Sequence, residues 1–408
     1  MNRRVVVSGM GLVSPLGVGR QAFADNLFRG ACGIRPIERF ATTALKSRMG
    51  GEIRDFSPRD FISGRNLRRM DRLSQMVTAS ARMAVEDAAL DLDAVDRHRV
   101  GLVIGTAFGP VDVAVQFADA LFGEGPRRVN PILVPNTVMN APAGHAAIEL
   151  GLCGINSTVN HREASAETAI AYAAMQIRES RADVVLTGGG DILSSFLLRI
   201  LEGFMALSPQ DGCEERARPL DRDRNGPVIG EGAGLLCLES LESALSRGAR
   251  IYCEIVGWGL SAAPAPANDW SGDPAGPVLA MQKALSMADA HPEDIDALSA
   301  AASGGINADR LEGLALERLF RRNPKPVVTS IKGALGEIFA SGGIRAAAMA
   351  LSIHDGIVPP TLGLTAPIIC LDTVQTIARR MDVIYGMVNA CASGGTFAAL
   401  VLRKFDEG

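Results

Sequence analysis

The sequence predicts an α/β protein with buried, largely parallel sheets, and three observations support this prediction. Short runs of β-branched residues alternate with longer segments of helical periodicity along the whole chain. The chain has 408 residues, 47% of them hydrophobic, which is enough to fill one large core or two fused ones. Its 44 glycines cluster where strands would meet helices. Strands that alternate with helices are typical of sheets that helices cover.

Eight short apolar segments are predicted to be strands, and they are separated by segments of helical pattern. They are, in chain order, residues 5–8, 100–105, 157–160, 184–187, 235–238, 254–257, 327–330 and 383–388. Glycine groups at 9–11, 188–190 and 394–395 are predicted to be tight turns at strand ends, because glycine readily adopts positive φ.

The second part of the chain repeats features of the first. Residues 182–191 and 381–396 share a strand-then-glycine layout, so we expect two similarly built halves, residues 1–250 and 251–408. A surface loop rich in Pro, Ala, Asp and Gly is expected at 262–277, followed by a helix from near Val278.

Composition argues against several functional classes. The 41 Lys and Arg residues nearly balance 45 Asp and Glu, without blocks of like charge, so neither nucleic acid nor an anionic membrane surface is an expected partner. The N-terminus lacks the pattern of a signal peptide, and no apolar run reaches the ~18–20 residues of a spanning helix. We therefore expect a cytoplasmic protein that does not enter a membrane.

The seven cysteines show neither a C-x-x-C pair nor a histidine at ligand spacing. This pattern disfavours both a zinc site and a disulfide framework, and no metal is expected. The cysteines are predicted to be reduced and mostly packed in the interior.

The most specific motif is RPLDRDRNGPVIGEGAG at 218–234, which resembles the signature of β-ketoacyl-ACP synthases. Other blocks agree in order and spacing, and the resemblance covers residues 3 to about 404. They are VVVSGMGLVSPLG (5–17), RRMDRLSQ (68–75), PNTVMNAPAGHAAIELGLCG (135–154), ADVVLTGGG (182–190) and SIKGALGEIFASGGI (330–344). The resemblance implies a thiolase-like fold, with two related halves that each hold a five-stranded mixed sheet, stacked as an αβαβα sandwich that dimerises through its N-terminal half.

A condensing member of this family needs a thiolate at a helix N-terminus and two histidines that stabilise oxyanions and move protons. The resemblance places Glu163 at the cysteine position, Ala301 at the first histidine and Glu337 at the second. Lys332, five residues before the second histidine position, is retained. The matching catalytic set is therefore degenerate, and no intact catalytic residue is expected.

These replacements leave two structural questions. A lone buried ammonium would be costly, and the family's glutamate partner for Lys332 is replaced by Ala346, so Lys332 is predicted to pair with Glu163 or Glu337. Glu163 itself fits a structural role, because an acid at a helix N-terminus satisfies unpaired N–H groups. The bulky residue of the family's Gly-Phe-Gly-Gly motif is also replaced, since residues 391–395 read CASGG.

The chain most resembles a chain length factor, the ketosynthase beta subunit of type II polyketide synthases. The resemblance implies a catalytically inactive subunit that heterodimerises with an active ketosynthase and shapes its acyl tunnel. The complex would act on phosphopantetheine-carried acyl chains of an acyl carrier protein, and no cofactor is expected on this chain itself. The better known factors carry glutamine at the position of Glu163, so this chain departs from them there.

In such factors the tunnel is lined by the helix after a strand and a glycine-rich turn. The matching residues here are Phe108, Val111, Ala114, Val115 and Ala118. Because Val111, Ala114 and Ala118 share a helix face and are small, an open tunnel for a polyene or other extended chain is plausible, although small residues also allow close helix packing.

The region that reaches the partner's pocket in the family matches residues 130–141, and Ile132, Leu133 and Met139 are the candidate contacts. Two alternatives stay open. One is a homodimeric decarboxylase or diverged acyltransferase that uses Glu163, and the other is a homodimeric acyl-binding or regulatory protein.

Overall fold

The computed structural model describes residues 3–270, 272–322 and 324–406. Its strands are β1 (Val5–Ser14), β2 (Gly17–Val18), β3 (Ile34–Pro36), β4 (Met49–Gly51), β5 (Val100–Gly105), β6 (Asn156–Val159), β7 (Val184–Asp191), β8 (Gly232–Ser240), β9 (Cys253–Ala262), β10 (Ala297–Ser299), β11 (Val327–Thr329), β12 (Ile357–Val358), β13 (Asp372–Thr373), β14 (Arg379–Arg380), β15 (Tyr385–Ala392) and β16 (Thr396–Arg403). Its helices are α1 (Arg20–Phe28), α2 (Gly64–Leu67), α3 (Arg72–Asp87), α4 (Val111–Glu124), α5 (Ala141–Leu150), α6 (Ser165–Arg178), α7 (Ser195–Gly203), α8 (Leu241–Ser246), α9 (Ala275–Ala288), α10 (Ile306–Leu319), α11 (Lys332–Leu335) and α12 (Gly342–Asp355). The predicted α/β class is confirmed.

Two mixed sheets of the same design form the framework. In the first sheet the strand order is β6-β5-β7-β8-β1, and in the second it is β11-β10-β15-β16-β9, with the two-residue strand β13 added in parallel at the edge beside β11. In each, the first three strands are parallel and the last two pair antiparallel. The sheets join where β1 pairs with β9, at Val6 with Glu254 and Val7 with Cys253. The expectation of two similarly built sheets from the resemblance is therefore met.

Helices cover and separate the two sheets. Helix α3 packs on β1 and β8 with α5 beside it, and α9 packs on β9 and β16 with α10 beside it. Helices α6 and α12 lie between the sheets, since α6 contacts both β7 and β16, and α12 contacts both β8 and β15. This is the five-layered αβαβα arrangement of the thiolase-like fold.

The ends of helix α3 illustrate how local chemistry sets the elements. The Asp71 carboxylate accepts hydrogen bonds from the N–H groups of Leu73 and Ser74, so the helix begins at Arg72. Eleven of the sixteen residues of α3 are buried, because the helix lies against β1 and β8 and is flanked by α5.

The strand predictions are close, but the prediction of largely parallel sheets is wrong. The eight predicted segments overlap β1, β5, β6, β7, β8, β9, β11 and β15. The prediction missed β10 and β16 and the short strands β2, β3, β4, β12, β13 and β14. Strand β16 returns antiparallel to β15 through the turn at Gly394 and Gly395, whose φ values are 83° and 87°. A continuous apolar run does not reveal strand direction here, because antiparallel strands such as β1 and β8 are also buried on both faces.

Two of the predicted glycine turns are also wrong, since Gly9, Gly11 and residues 188–190 lie inside strands β1 and β7. A Cβ at Gly11 would lie 1.9 Å from the carbonyl oxygen of Ser80 in α3. Gly9 and Gly11 therefore allow α3 to approach β1 closely rather than permitting a turn, whereas a Cβ at Gly188 or Gly190 would meet the backbone of the neighbouring strand β8. The turn at 394–395 is as predicted.

The prediction of mostly packed thiols is wrong for four of the seven cysteines. Cys237, Cys253 and Cys391 are buried, and the exposed thiols are Cys32, Cys153, Cys213 and Cys370. All seven are free. Within the described ranges, none of the helices combines the length and the apolar character needed to cross a membrane.

Candidate functional site

A cavity of about 720 Å³ collects residues from both halves of the chain. Its inner wall carries all four positions of the degenerate catalytic set, Glu163, Ala301, Lys332 and Glu337. Residues such as Phe204 (70% exposed), Met205 and Ile306 also line it, so the cavity reaches the protein surface at the end of α7. Sequence reasoning thus identified residues that the fold does bring together.

Lys332 pairs with Glu337, one of its two predicted partners. Its ammonium nitrogen lies 2.7 Å and 2.8 Å from the two carboxylate oxygens of Glu337, and both side chains are buried. Lys332 begins the one-turn helix α11 and Glu337 follows it, so the pair closes within five residues. A carboxylate in this pair accepts hydrogen bonds and cannot donate one to an oxyanion.

Glu163 lies in a 3₁₀ turn, Arg162–Ala164, immediately before α6. Its carboxylate accepts hydrogen bonds from the N–H of Ser393 (3.0 Å) and from the Ser393 hydroxyl (3.1 and 3.2 Å). Burial raises the pKa of Glu163 and the neighbouring Glu337 raises it further, while its own backbone N–H and the Ser393 N–H lower it. We expected the N–H groups of the following helix, α6, to be the hydrogen-bond donors to this carboxylate. The donor that the structure describes is instead Ser393, which is 230 residues away along the chain.

Ala301 offers no side-chain donor at the first histidine position. Its backbone N–H donates to Glu312 Oε1 (2.8 Å), and the side-chain amide of Asn389 donates to the same oxygen (2.7 Å). Burial raises the pKa of the Glu312 carboxyl. Glu312 therefore holds the 301 segment against β15, and a methyl group faces the place where an imidazole would stabilise developing charge.

A second buried ion pair was missed by sequence reasoning. Arg345 Nη1 lies 2.7 Å from Glu167 Oε1, and Arg345 Nη2 donates to the carbonyl oxygens of Ser299 (2.7 Å) and Asn389. Burial raises the pKa of Glu167, and Arg345 opposes that rise. The sequence does contain a signal for this pair: a single arginine lies in the apolar run of α12, and Glu167 lies four residues after Glu163. A buried arginine is rarely unpaired, so a buried partner for Arg345 could have been predicted.

Cys391 is the one thiol among the described residues that line the cavity, and no histidine occurs among them. Burial raises the pKa of Cys391 well above its ordinary value, and the Glu312 carboxylate raises it further. Because the thiolate is the nucleophilic form, a raised pKa disfavours Cys391 as a nucleophile. His161 lines a separate cavity of about 380 Å³, where its ring lies 3.4 Å from the Thr168 hydroxyl.

Aromatic side chains from other positions narrow the cavity, although the family's bulky gate residue is absent. Phe108 and Phe339 meet edge to face with ring centroids 4.8 Å apart, and the Arg162 guanidinium lies 5.4 Å from the Phe108 ring centroid. Arg162 also donates to the side-chain oxygen of Asn268 (2.6 Å). These aromatic contacts were not predicted, because the two rings belong to different halves of the chain.

The loop expected at the surface between 262 and 277 has a larger role. Strand β9 extends to Ala262 and α9 begins at Ala275, so the loop is shorter than predicted. Asn268, Asp269 and Trp270 line the cavity, and the Asp269 carbonyl accepts a hydrogen bond from Gly394 (2.9 Å). The prediction of a surface excursion is therefore incomplete, since the loop forms part of the cavity wall.

The predicted tunnel helix corresponds to α4. Val111, Ala114, Val115 and Ala118 are half-buried on it and are not among the residues that line the 720 Å³ cavity, which reaches only Phe108 from this region. The predicted interface residues are at the surface: Ile132 is 44% and Met139 42% exposed, and Leu133 is half-buried.

Comparisons with known proteins agree with this architecture over the whole chain. The model for the β-ketoacyl synthase N-terminal domain matches residues 2–244, and that for the C-terminal domain matches residues 252–365. The 3-oxoacyl-[acyl-carrier-protein] synthase 2 of Staphylococcus aureus (strain COL) is 36% identical over 416 residues, covering 99% of each chain.

Two solved structures have closely similar folds. The ishigamide ketosynthase/chain length factor aligns with a TM-score of 0.93 and 32% identity over 100% of both chains. A type II PKS acyl-carrier protein in complex with its ketosynthase bound to the hexaketide aligns with a TM-score of 0.90 and 25% identity, covering 99% of this chain and 100% of that one. Together with the domain matches, these similarities show that the chain belongs to the β-ketoacyl synthase family.

Proposed function

We propose that this chain is a non-condensing, chain-length-factor-like subunit that pairs with an active ketosynthase and shapes the tunnel for its acyl chain. The observation that carries the proposal is the chemistry of the large cavity that holds the degenerate catalytic set. Condensation needs a thiolate and donors aimed at developing oxyanions. Among the described residues lining this cavity, the one thiol is kept protonated, and Glu163, Ala301 and Glu337 supply no imidazole.

The exposed apolar surface of the first half supports a partner. Helix α4 has only Val113 buried although most of its residues are apolar, and residues 131–139 beside it are rich in exposed apolar side chains. The most exposed members of this surface are Phe122 (86%), Val134 (50%), Val138 (49%), Ile132 (44%) and Met139 (42%). A contiguous apolar surface of this kind favours a protein interface.

The edge of the first sheet supports the same conclusion. Strand β6 is the terminal strand of that sheet, so the N–H and C=O groups along its outer side have no neighbouring strand in the described sheet. Open strand edges favour pairing with another chain. A similarly folded partner would cover both this edge and the apolar surface.

The similar proteins support the identity of the partners. One is a ketosynthase/chain length factor and another is a ketosynthase with its acyl-carrier protein. We therefore propose an active ketosynthase as the heterodimer partner and an acyl carrier protein as the source of phosphopantetheine-linked acyl groups. The absence of large side chains at Val111, Ala114 and Ala118 favours an extended product such as a polyene.

Co-expression with a ketosynthase that keeps its cysteine and both histidines tests this proposal. We expect a stable 1:1 complex that makes product, whereas this chain alone should neither condense acyl groups nor release CO₂ from a malonyl carrier. Ile132→Asp should weaken the complex, because it places a charge in the apolar interface, and Asp382→Asn at an exposed site should not. Turnover by the isolated chain that Glu163→Ala abolishes would instead establish the decarboxylase or acyltransferase alternative.

The tunnel assignment has its own test within that complex. Ala114→Phe or Ala118→Phe should shorten the product, because each adds a ring on the shared face of α4. Gln116→Phe adds the same ring at an exposed position and serves as the control. Unchanged product length in both alanine variants would contradict the tunnel role of α4.

A further inference from the structure

The hydrogen-bond donors around Glu163 are arranged to bind a carboxylate. The Ser393 N–H donates to Oε2, and the Ser393 hydroxyl lies within hydrogen-bond distance of both oxygens. The backbone N–H of Glu163 also lowers the pKa of its own carboxyl. Donors of this kind stabilise an anion, and they oppose the effect of burial, which raises the pKa of the Glu163 carboxyl. We refer to these three donors as the Ser393 corner.

Contacts other than those of the Glu163 side chain hold the backbone at Ser393. Gly394 and Gly395 have left-handed φ values, and a Cβ at Gly395 would lie 1.8 Å from the carbonyl oxygen of Ala263. The turn is further held by hydrogen bonds from Gly394 N–H to Asp269 O and from Gly395 N–H to Ala392 O. The Ser393 donors are therefore preorganised.

The other side of the corner is also constrained. Arg162 has φ 54°, a left-handed conformation that is unfavourable for a residue with a side chain. Its guanidinium is held against the Phe108 ring and the Asn268 side chain, so contacts on both sides maintain this backbone. The turn that carries Glu163 is thus positioned by neighbouring groups as well.

We propose that the Ser393 corner is a carboxylate-binding site at the end of the cavity and that the Glu163 side chain is its permanent occupant. An acyl group that entered the cavity would find these donors already bound by the protein's own carboxylate. This inference deepens the proposed function, on which its biological meaning rests: the silent subunit excludes acyl groups from its own cavity and leaves them to its partner.

Removal of the occupant should leave a site that a small carboxylate can fill. Glu163→Gly removes a group equal in size to propionate, and Glu163→Ala removes one equal to acetate. We expect propionate to raise the melting temperature of Glu163→Gly saturably, by about 1.5 °C at ten times its Kd. Sodium chloride and 1-propanol at the same concentration should have no such effect, because neither supplies a carboxylate.

The controls separate specific binding from a general solvent effect. Wild type and Glu179→Gly, an exposed position, should not respond to propionate. Adding Ser393→Ala to Glu163→Gly removes one donor to the bound anion and should weaken propionate binding about tenfold or more. If Glu163→Gly does not fold, the same comparison is made with Glu163→Ala and acetate.

A response of wild type equal to that of the variants, or no response of either variant to its matching carboxylate, would overturn the inference. The measurement uses the purified chain without a partner or an acyl substrate. Failure to pair with a ketosynthase would therefore count against the proposed function and leave the carboxylate result standing. Failure of the variants to bind a carboxylate would count against this inference and leave the proposed pairing standing.

Discussion

Removing one member of the buried Lys332–Glu337 pair should destabilise the protein far more than removing both. The two side chains are only 3% and 6% exposed, and Nζ lies 2.7 Å from Oε1. Lys332→Met leaves a buried carboxylate without its cation, and Glu337→Leu leaves a buried ammonium. Breaking such a pair costs about 3–5 kcal/mol, whereas replacing both ions with apolar residues is often nearly neutral.

The expected change in melting temperature follows from the size of the chain. An unfolding entropy of about 2.1 cal/mol/K per residue gives about 0.9 kcal/mol/K for 408 residues unfolding as one unit. Each single variant should therefore melt about 4–6 °C below wild type, because about 3–5 kcal/mol is lost. The double variant Lys332→Met with Glu337→Leu should melt within about 2 °C of wild type.

Differential scanning calorimetry of the four proteins measures this coupling. Lys404→Met provides a matched control, since Lys404 Nζ also lies 2.7 Å from a carboxylate, that of Asp382, but in an exposed pair. Exposed pairs contribute about 0–1 kcal/mol, so this control should shift the melting temperature by about 1 °C or less. The reasoning would be refuted if Lys332→Met behaved like Lys404→Met, or if the double variant lost as much as the two single variants together.

Three further predictions concern His145, Asp309 and Cys391. Burial lowers the pKa of His145 below 6.5, so the unfolded chain binds a proton first as the pH falls, and stability present above pH 6.5 is lost below it. Between pH 7.5 and 5.5 the melting temperature of wild type should therefore fall further than that of His145→Gln. Equal falls would contradict this. The Asp309 carboxylate accepts hydrogen bonds from the N–H groups of Leu220, Ser303 and Gly304. In Asp309→Asn an amide NH₂ faces at least one of these donors, so calorimetry should show that the free energy of unfolding falls by about 1–3 kcal/mol. An unchanged melting temperature would exclude this bonding. Iodoacetamide added to the native protein should label the exposed thiols and leave Cys391 unlabelled, because burial raises the pKa of Cys391 and blocks access to it. Mass spectrometry measures the labelling. If Cys391 were labelled as fast as the exposed thiols, the cavity would be open to the reagent.

The candidate site could be predicted in part because its residues lie in recognisable motifs. Glu163, Ala301 and Glu337 were located by the segments around them, and Lys332 with Glu337 closes within one short stretch of chain. Glu163 was different. Its acidic side chain was evident, but its partner Ser393 lies far away along the chain, and the expected helix N–H groups are not the donors described for it.

The sequence by itself determined which side chains stand at the positions that match the family's catalytic set, since residue identity decides whether a thiolate or an imidazole can form there. Only the tertiary structure decided how the remaining charges are paired. Arg345 reaches Glu167 between the two sheets, and Phe339 meets Phe108, in both cases from the opposite half of the chain. The ion pair depends on the packing of α6 and α12 between the two sheets. A lone arginine in an apolar run marks a buried charge, but the local sequence does not show which distant group it meets.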